Sequence, residues 1–135
     1  MMKPTVEYQM LGLMALIFLF AYVPASVAKA KTFGTRWLAS NRDSKPSVAM
    51  PAWGERCERA HQNLKDNLPG FIVAVLGLGV TDGFSDLTQW LTITYVIARI
   101  VHFASYGMGN VPIRAMSYMV GLVVNSVLLL KLISG

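Results

Sequence analysis

The sequence is poor in charge and almost without cysteine. Only 14% of its 135 residues are charged, against roughly 25% for an ordinary soluble domain. Cys57 is the single cysteine, which excludes an internal disulfide and a thiolate metal cluster. With two histidines, no metal site is expected. The basic residues that give the formal net charge of +5 form no stripe interleaved with aromatics, so nucleic acid is not an expected partner.

Long apolar runs are what the sequence has in abundance. Hydrophobic residues make up 54% of the chain, and most of the charged ones lie between Lys29 and Asp66. A soluble helical bundle would instead distribute charge along the outer face of every helix. The uneven distribution predicts an all-α integral membrane protein that forms a single domain.

Four apolar segments are long enough to cross a bilayer as helices, which takes about 20 residues. The first could also be a secretion signal, because it follows Met-Met-Lys, but its apolar run is longer than a signal core. We therefore predict a left-handed bundle of four transmembrane helices within residues 1–135. The predicted helices span about 6–29, 53–80, 87–108 and 113–133. Pro69 is expected to kink the second helix.

The charges of the loops predict an orientation. The first loop, 29–54, carries five basic residues and one acid, whereas the second, 81–86, carries two acids and no base. The third loop is followed by Arg114. By the positive-inside rule, loops one and three face the cytoplasm and both termini face the opposite side.

Polar residues of three predicted helices should meet at one depth on the cytoplasmic side. The second helix contributes positions spaced i, i+4 and i+7, and the third and fourth helices add further polar positions near the loop that joins them. The residues are Arg59, Asn63, Asp66, Arg99, His102, Tyr106, Arg114 and Tyr118. Polar side chains are costly in an apolar environment unless they are paired or hold a ligand.

Two interpretations of this cluster stay open. In one, Arg59 or Arg99 pairs with Glu58 or Asp66, and the residues only join the helices. In the other, the cluster binds a ligand, because it has no surplus of acid and its arginines suit carboxylates. A cationic pocket with one acid, an amide and phenols fits a small anionic or zwitterionic ligand.

Three motifs in order resemble the MAPEG family, the membrane-associated proteins in eicosanoid and glutathione metabolism. They are E-R-C-E-R-A-H-Q-N-L-K-D (55–66), A-R-I-V-H-F-A-S-Y (98–106) and P-I-R-A-M-S-Y (112–118). The segment W-L-A-S-N-R-D (37–43) resembles the bacterial branch, which implies a bacterial inner membrane. The resemblance also implies a homotrimer of four-helix subunits, similar to microsomal glutathione transferases, that binds glutathione between neighbouring subunits.

Carried over by position, the resemblance implies a glutathione site. Its residues are Arg59, Asn63, Asp66, His102, Tyr106, Arg114 and Tyr118. Arg114 matches the arginine that stabilises the thiolate and is the expected catalytic residue, since an adjacent guanidinium favours the ionised thiol. Two positions depart from the prostaglandin synthase of the family: Gln62 replaces an arginine and Ala115 replaces a serine. The basic residue that ends the first helix corresponds to Lys29 or Lys31.

The expected function is that of a membrane-bound, glutathione-dependent transferase or peroxidase acting on lipophilic electrophiles or lipid hydroperoxides. Glutathione would be the co-substrate, and the partners would be other copies of the chain and membrane lipids. Two alternatives stay open. One is a non-catalytic membrane scaffold or accessory subunit of a larger complex, and the other is a protein that binds a different anionic metabolite or a lipid head group.

Overall fold

A computed structural model describes residues 5–44 and 46–135, and every regular element in these ranges is helical. The helices are α1 (Val6–Phe20), α2 (Val23–Phe33), α3 (Thr35–Leu38), α4 (Ala52–Val80), α5 (Asp86–Met108) and α6 (Val111–Ser134). The predicted all-α class is confirmed. Residues 1–4, which carry the Met-Met-Lys start, and Lys45, one of the basic residues of the first loop, lie outside the described residues.

The first apolar segment forms two helices instead of the single helix expected at about 6–29. α1 ends at Phe20, α2 begins at Val23, and α2 continues to Phe33. Pro24 in the first turn of α2 explains the break, because proline has no N–H to donate to the carbonyl of Phe20. The chain tightens there, with the Ala21 N–H donating to the Phe18 carbonyl over 3.2 Å.

α4 runs through 29 residues, with its charged half first and its apolar half second. Pro69 lies inside this helix without ending it. Beside it, Gly70 lets α6 approach closely, because a Cβ at this position would lie 2.8 Å from the Asn125 side-chain nitrogen. The single helix α4 therefore contains both the polar motif 55–66 and the residues that pack closely against α6.

Local capping fixes the ends of α5 and α6. Ser85 and Thr88 exchange hydrogen bonds at the start of α5, where the Ser85 N–H donates to the Thr88 hydroxyl over 2.8 Å. Gly109, in the left-handed region at φ +79°, ends α5. Asn110 then accepts from the Ile113 N–H over 3.2 Å and caps α6. This short connection places the end of α5 beside the beginning of α6.

The helices pack around an apolar core built mainly from α4, α5 and α6. α5 packs against α1, α4 and α6, while α4 also packs against α2 and α6. At the centre the rings of Phe71 and Tyr95 stack with 4.0 Å between their centroids. The outer surface is also apolar, with Trp90 65% exposed and Met116 71% exposed. Such a surface is suited to lipid, since soluble monomers rarely expose large contiguous apolar patches.

Two helical stretches, Val6–Phe33 and Val111–Ser134, are long and apolar enough to cross a membrane. α4 does not reach the same apolar character, because charged residues occupy its first half. The remaining two spans of the four-helix bundle and the trimer therefore stay predictions.

A carboxylate is buried at the end of the molecule where α1 and α5 begin. Glu7 is only 4% exposed, and its carboxylate accepts a hydrogen bond from the Thr88 hydroxyl over 2.6 Å. Glu7 is not part of the polar cluster predicted from the sequence. The buried pair joins α1 to α5, about 20 Å along α5 from His102 at 1.5 Å per residue.

Candidate functional site

A shallow cavity of about 280 Å³ opens where α4 passes the connection between α5 and α6. It is lined by Asn63, His102, Tyr106, Arg114, Ala115 and Tyr118. Five of the seven residues of the predicted glutathione site therefore line one cavity. The capped turn between α5 and α6 explains this, because it sets the last turns of one helix beside the first turns of the other.

Arg59 and Asp66 lie outside this cavity in the single chain. Both side chains are exposed on α4, and each has a partner on its own helix. Arg59 Nη1 lies 3.6 Å from a carboxylate oxygen of Glu55, and the Gln62 amide donates to Asp66 over 2.8 Å. Of the three positions that helical spacing grouped, Asn63 is the one that lines the cavity. A ligand contact by Arg59 or Asp66 stays a prediction.

Arg99 is a buried cation next to this cavity. It is 2% exposed, and its Nη1 lies 3.5 Å from the Asn63 side-chain oxygen. Its guanidinium carbon lies 5.1 Å from the ring centroid of Tyr95 and 5.5 Å from that of Tyr118. Its Nε is buried and has no hydrogen-bond partner among the described residues. The neighbours of the Arg99 guanidinium are thus two aromatic rings and one amide, and not a carboxylate.

The first of the two open interpretations, in which Arg59 or Arg99 pairs with Glu58 or Asp66, is not seen among the described residues. Glu58 forms its ion pair with Lys29 of α2, and Arg59 forms its own with Glu55. Within residues 5–44 and 46–135, Arg99 has no ion pair. The acids of α4 lie on its exposed face, whereas Arg99 lies between α5 and α6, so the charges that the sequence placed at one depth are on different faces.

Gly121 of α6 makes the room that Arg99 occupies. A Cβ at this position would lie 2.6 Å from Arg99 Nη2 and 2.9 Å from its Cζ. Side chains in close-packed interiors do not tolerate such approaches without displacement. Arg99 belongs to the polar cluster predicted from the sequence but not to the glutathione site that the resemblance implies, although a lone arginine in an apolar segment is itself a signal of function. No sequence signal distinguished Gly121 from the other glycines.

His102 ties α5 to the first turn of α6. Its Nδ1 lies 3.0 Å from the carbonyl oxygen of Arg114, and because a carbonyl oxygen only accepts, Nδ1 is the donor. In the neutral ring, Nε2 is then an acceptor. That Nε2 is buried and has no hydrogen-bond partner among the residues the structure describes. The ring also meets Tyr106 edge-on, with 5.6 Å between centroids.

Arg114 lies over an aromatic ring. Its guanidinium carbon is 4.6 Å from the ring centroid of Tyr106, a distance at which cation and ring attract each other. Arg114 forms no ion pair with any described residue. No carboxylate is among the described residues that line the cavity, so Arg114 in its wall and Arg99 beside it give this region an uncompensated positive charge. Chemically, the arrangement favours an anionic group or an ionised thiol.

The comparison with protein families agrees with the motifs. A model of the MAPEG family matches residues 7–134, a range that includes all residues lining the cavity. The searches of curated proteins and of solved structures found no match. The match confirms the resemblance inferred from three separate motifs, and with the apolar helices it identifies a membrane protein. The chain belongs to the MAPEG family.

Proposed function

We propose that this protein is a glutathione-dependent transferase or peroxidase that acts on lipophilic electrophiles or lipid hydroperoxides in the membrane. The observation that carries the proposal is the cavity lined by Arg114, which has the buried Arg99 beside it and no carboxylate among its described lining residues. Membership of a glutathione-associated family supports the choice of thiol.

The donors around the cavity suit glutathione, which carries two carboxylates and an amide backbone. Guanidinium groups bind carboxylates through charge-assisted hydrogen bonds. His102, which lines the cavity, has a buried Nε2 without a partner among the described residues, and a bound ligand that donates to it would relieve part of that cost. The side-chain amide of Asn63 offers both a donor and an acceptor at the same wall.

Arg114 supplies the chemistry in this proposal. A thiol attacks only as the thiolate, and a guanidinium next to the sulfur stabilises the charged form. The thiolate then forms a carbon–sulfur bond with the electrophile, whose leaving group departs with the bonding electrons. With a hydroperoxide, the sulfur attacks the terminal oxygen, the O–O bond breaks and the alcohol leaves. A second glutathione then yields the disulfide and water. The Tyr106 ring holds the guanidinium in place.

The complete site in this proposal belongs to a homotrimer of subunits with four membrane-spanning helices. Arg59 and Asp66 are exposed on α4 in the single chain, so a neighbouring subunit could bring them to a shared ligand. The loops that precede α4 and α6 would face the cytoplasm of a bacterium across its inner membrane. Glutathione would then enter from the cytoplasm and the apolar substrate from the bilayer.

The test is turnover by the purified protein in detergent, with 1-chloro-2,4-dinitrobenzene for conjugation and cumene hydroperoxide for reduction. Arg114→Ala should lower kcat by about 10²- to 10³-fold, the effect of removing one donor that stabilises developing charge. Arg36→Ala removes an exposed arginine from α3 and should leave kcat unchanged. If equilibrium dialysis at millimolar glutathione detects no glutathione bound to the protein, the proposal is ruled out.

A non-catalytic membrane scaffold or accessory subunit is the second candidate, and Ala115 is the observation that favours it. This residue lines the cavity with a methyl group, next to Arg114, where a hydroxyl could donate to the sulfur. Gln62, the other departure from the synthase pattern, bonds to Asp66 on the exposed face of α4. Glutathione binding without turnover would favour this candidate. Gain of turnover in Ala115→Ser, but not in Ala104→Ser, which lies on α5 outside this cavity, would identify the missing hydroxyl as the cause.

A further inference from the structure

A second and larger cavity, of about 490 Å³, lies on a different face of α5 from the cationic site. One wall comes from the break between α1 and α2, with Leu16, Phe20 and Pro24. The other wall comes from α5, with Ile100, Phe103 and Ala104. All lining side chains are apolar, and the volume is within the roughly 300–1,000 Å³ of ligand sites. We call this cavity the α1–α5 groove.

The α1–α5 groove lies beside the break between α1 and α2. Pro24, which follows the break, is in its wall together with Ala21. Ala21 and Ala104 both line the groove with single methyl groups. Larger side chains at these two positions would fill this space. The groove therefore depends on the small size of the two alanines.

A cation without an ion-pair partner lies on the same side of α2 as the groove. Pro24, Val27 and Lys31 are spaced i, i+3 and i+7, so they share one face of the helix. Seven residues at 1.5 Å each place Lys31 about 10 Å from Pro24 along the axis. Lys31 is exposed and forms no ion pair with the described residues, whereas Lys29 is paired with Glu58.

We propose that the α1–α5 groove and Lys31 together bind a phospholipid with an anionic head group. The acyl chain lies in the apolar groove, and the head-group phosphate or carboxylate meets the Lys31 ammonium. The apolar groove is followed along α2 by the cationic Lys31, in the same order in which a lipid's acyl chain is followed by its head group. Apolar burial would hold the chain of any phospholipid, and the charge of Lys31 adds the preference for an anionic one. The proposal does not depend on glutathione chemistry.

The experiment uses the full chain in nanodiscs that contain a small fraction of spin-labelled lipid, either phosphatidylglycerol or phosphatidylcholine. Electron paramagnetic resonance measures the immobilised fraction of each. Lys31→Gln should lower the preference for phosphatidylglycerol by about fivefold, equivalent to roughly 1 kcal/mol for one basic residue at an anionic surface. Lys131→Gln, the same change at the end of α6, should leave the preference unchanged.

Ala104→Phe tests the groove itself. The added ring should fill the space beside Phe103 and lower the immobilised fraction of both lipids at least twofold. Val123→Phe, on the exposed face of α6, is the matched control and should have no effect. Unchanged immobilisation in Ala104→Phe would overturn the proposal, as would an unchanged lipid preference in Lys31→Gln. Loss of oligomer mass in Ala104→Phe, measured by native mass spectrometry, would also overturn it by assigning the groove to a second copy of the chain.

Discussion

The imidazole Nδ1 of His102 donates to the main-chain carbonyl oxygen of Arg114 over 3.0 Å. A side chain of α5 thus holds the first turn of α6, which carries the proposed catalytic guanidinium. The Ser117 hydroxyl also lies 3.1 Å from that carbonyl oxygen, within α6 itself. The histidine therefore adds a hydrogen bond between the two helices to the contacts that Arg114 makes with Tyr106 and Arg99 makes with Tyr118.

The first prediction concerns this contact. His102→Leu should destabilise the protein by about 1–3 kcal/mol, because it removes a buried donor, and should lower kcat more than it raises KM. His102→Gln keeps an N–H donor on a side chain of similar reach and should recover part of both losses. Thermal unfolding in detergent and glutathione conjugation rates measure the two effects. Equal behaviour of the Leu and Gln variants would contradict a positioning role.

The second prediction concerns the space for Arg99. Gly121→Ala should destabilise the protein by about 1–3 kcal/mol, the usual cost of an overpacked core. The reason is the 2.6 Å separation between the new Cβ and Arg99 Nη2. Gly12→Ala is the matched control, because no atom lies within 4 Å of its added Cβ and alanine favours the helix interior. The two variants are compared by thermal unfolding in the same detergent. Equal stability of the two variants would show that the Arg99 side chain can move away from the added methyl group without cost.

Apolar segments predicted the third and fourth helices closely. The predicted ranges, about 87–108 and 113–133, differ from α5 (Asp86–Met108) and α6 (Val111–Ser134) by at most two residues at each end. The break at Ala21 and Tyr22 was missed. Pro24 lies within a run of apolar residues that is long enough for one helix, and the hydrogen bond it cannot make to the Phe20 carbonyl was not considered. Glu7 was missed for a related reason: its burial depends on Thr88, 81 residues away along the chain.

The candidate site was predictable where the family motifs name residues and less so where packing decides. Asn63, His102 and Arg114, one from each of the three motifs, line one cavity, and their contact with glutathione stays a prediction. Helical spacing grouped Arg59 with Asn63, but spacing alone does not show which of the two residues faces α5. The contact between Arg99 and Gly121 depends on how closely two helices approach, and a single sequence carries no pattern for it.

The third prediction uses the charge at the cavity. Asn63→Asp places a carboxylate 3.5 Å from Arg99 Nη1, where it can form the ion pair that the native chain lacks. The new pair should raise thermal stability, and it should weaken glutathione binding at least about tenfold, equivalent to 1.4 kcal/mol. Asn41→Asp adds the same charge to an exposed loop residue and should change neither quantity. Isothermal titration with glutathione measures the affinity. Unchanged affinity in Asn63→Asp would separate this cavity from the glutathione site.

The fourth prediction compares two carboxylates in different surroundings. Glu7 is buried and accepts from the Thr88 hydroxyl, whereas Glu58 pairs with Lys29 at a half-exposed position. Glu7→Leu leaves that hydroxyl with one acceptor fewer and should destabilise the protein by about 1–3 kcal/mol. Glu58→Leu should cost no more than about 1 kcal/mol, because solvent screens a surface pair.

The Glu7→Gln variant decides which property of Glu7 matters. A glutamine oxygen can accept from the Thr88 hydroxyl as the carboxylate does, so a hydrogen-bonding role predicts that most of the stability returns. A role that requires the negative charge predicts that Glu7→Gln is as unstable as Glu7→Leu. Thr88→Val removes the donor from the other side, and its loss should not add to that of Glu7→Leu, because both changes break the same contact. Full additivity in this double-mutant cycle, measured by thermal unfolding, would show that the two residues stabilise the protein independently.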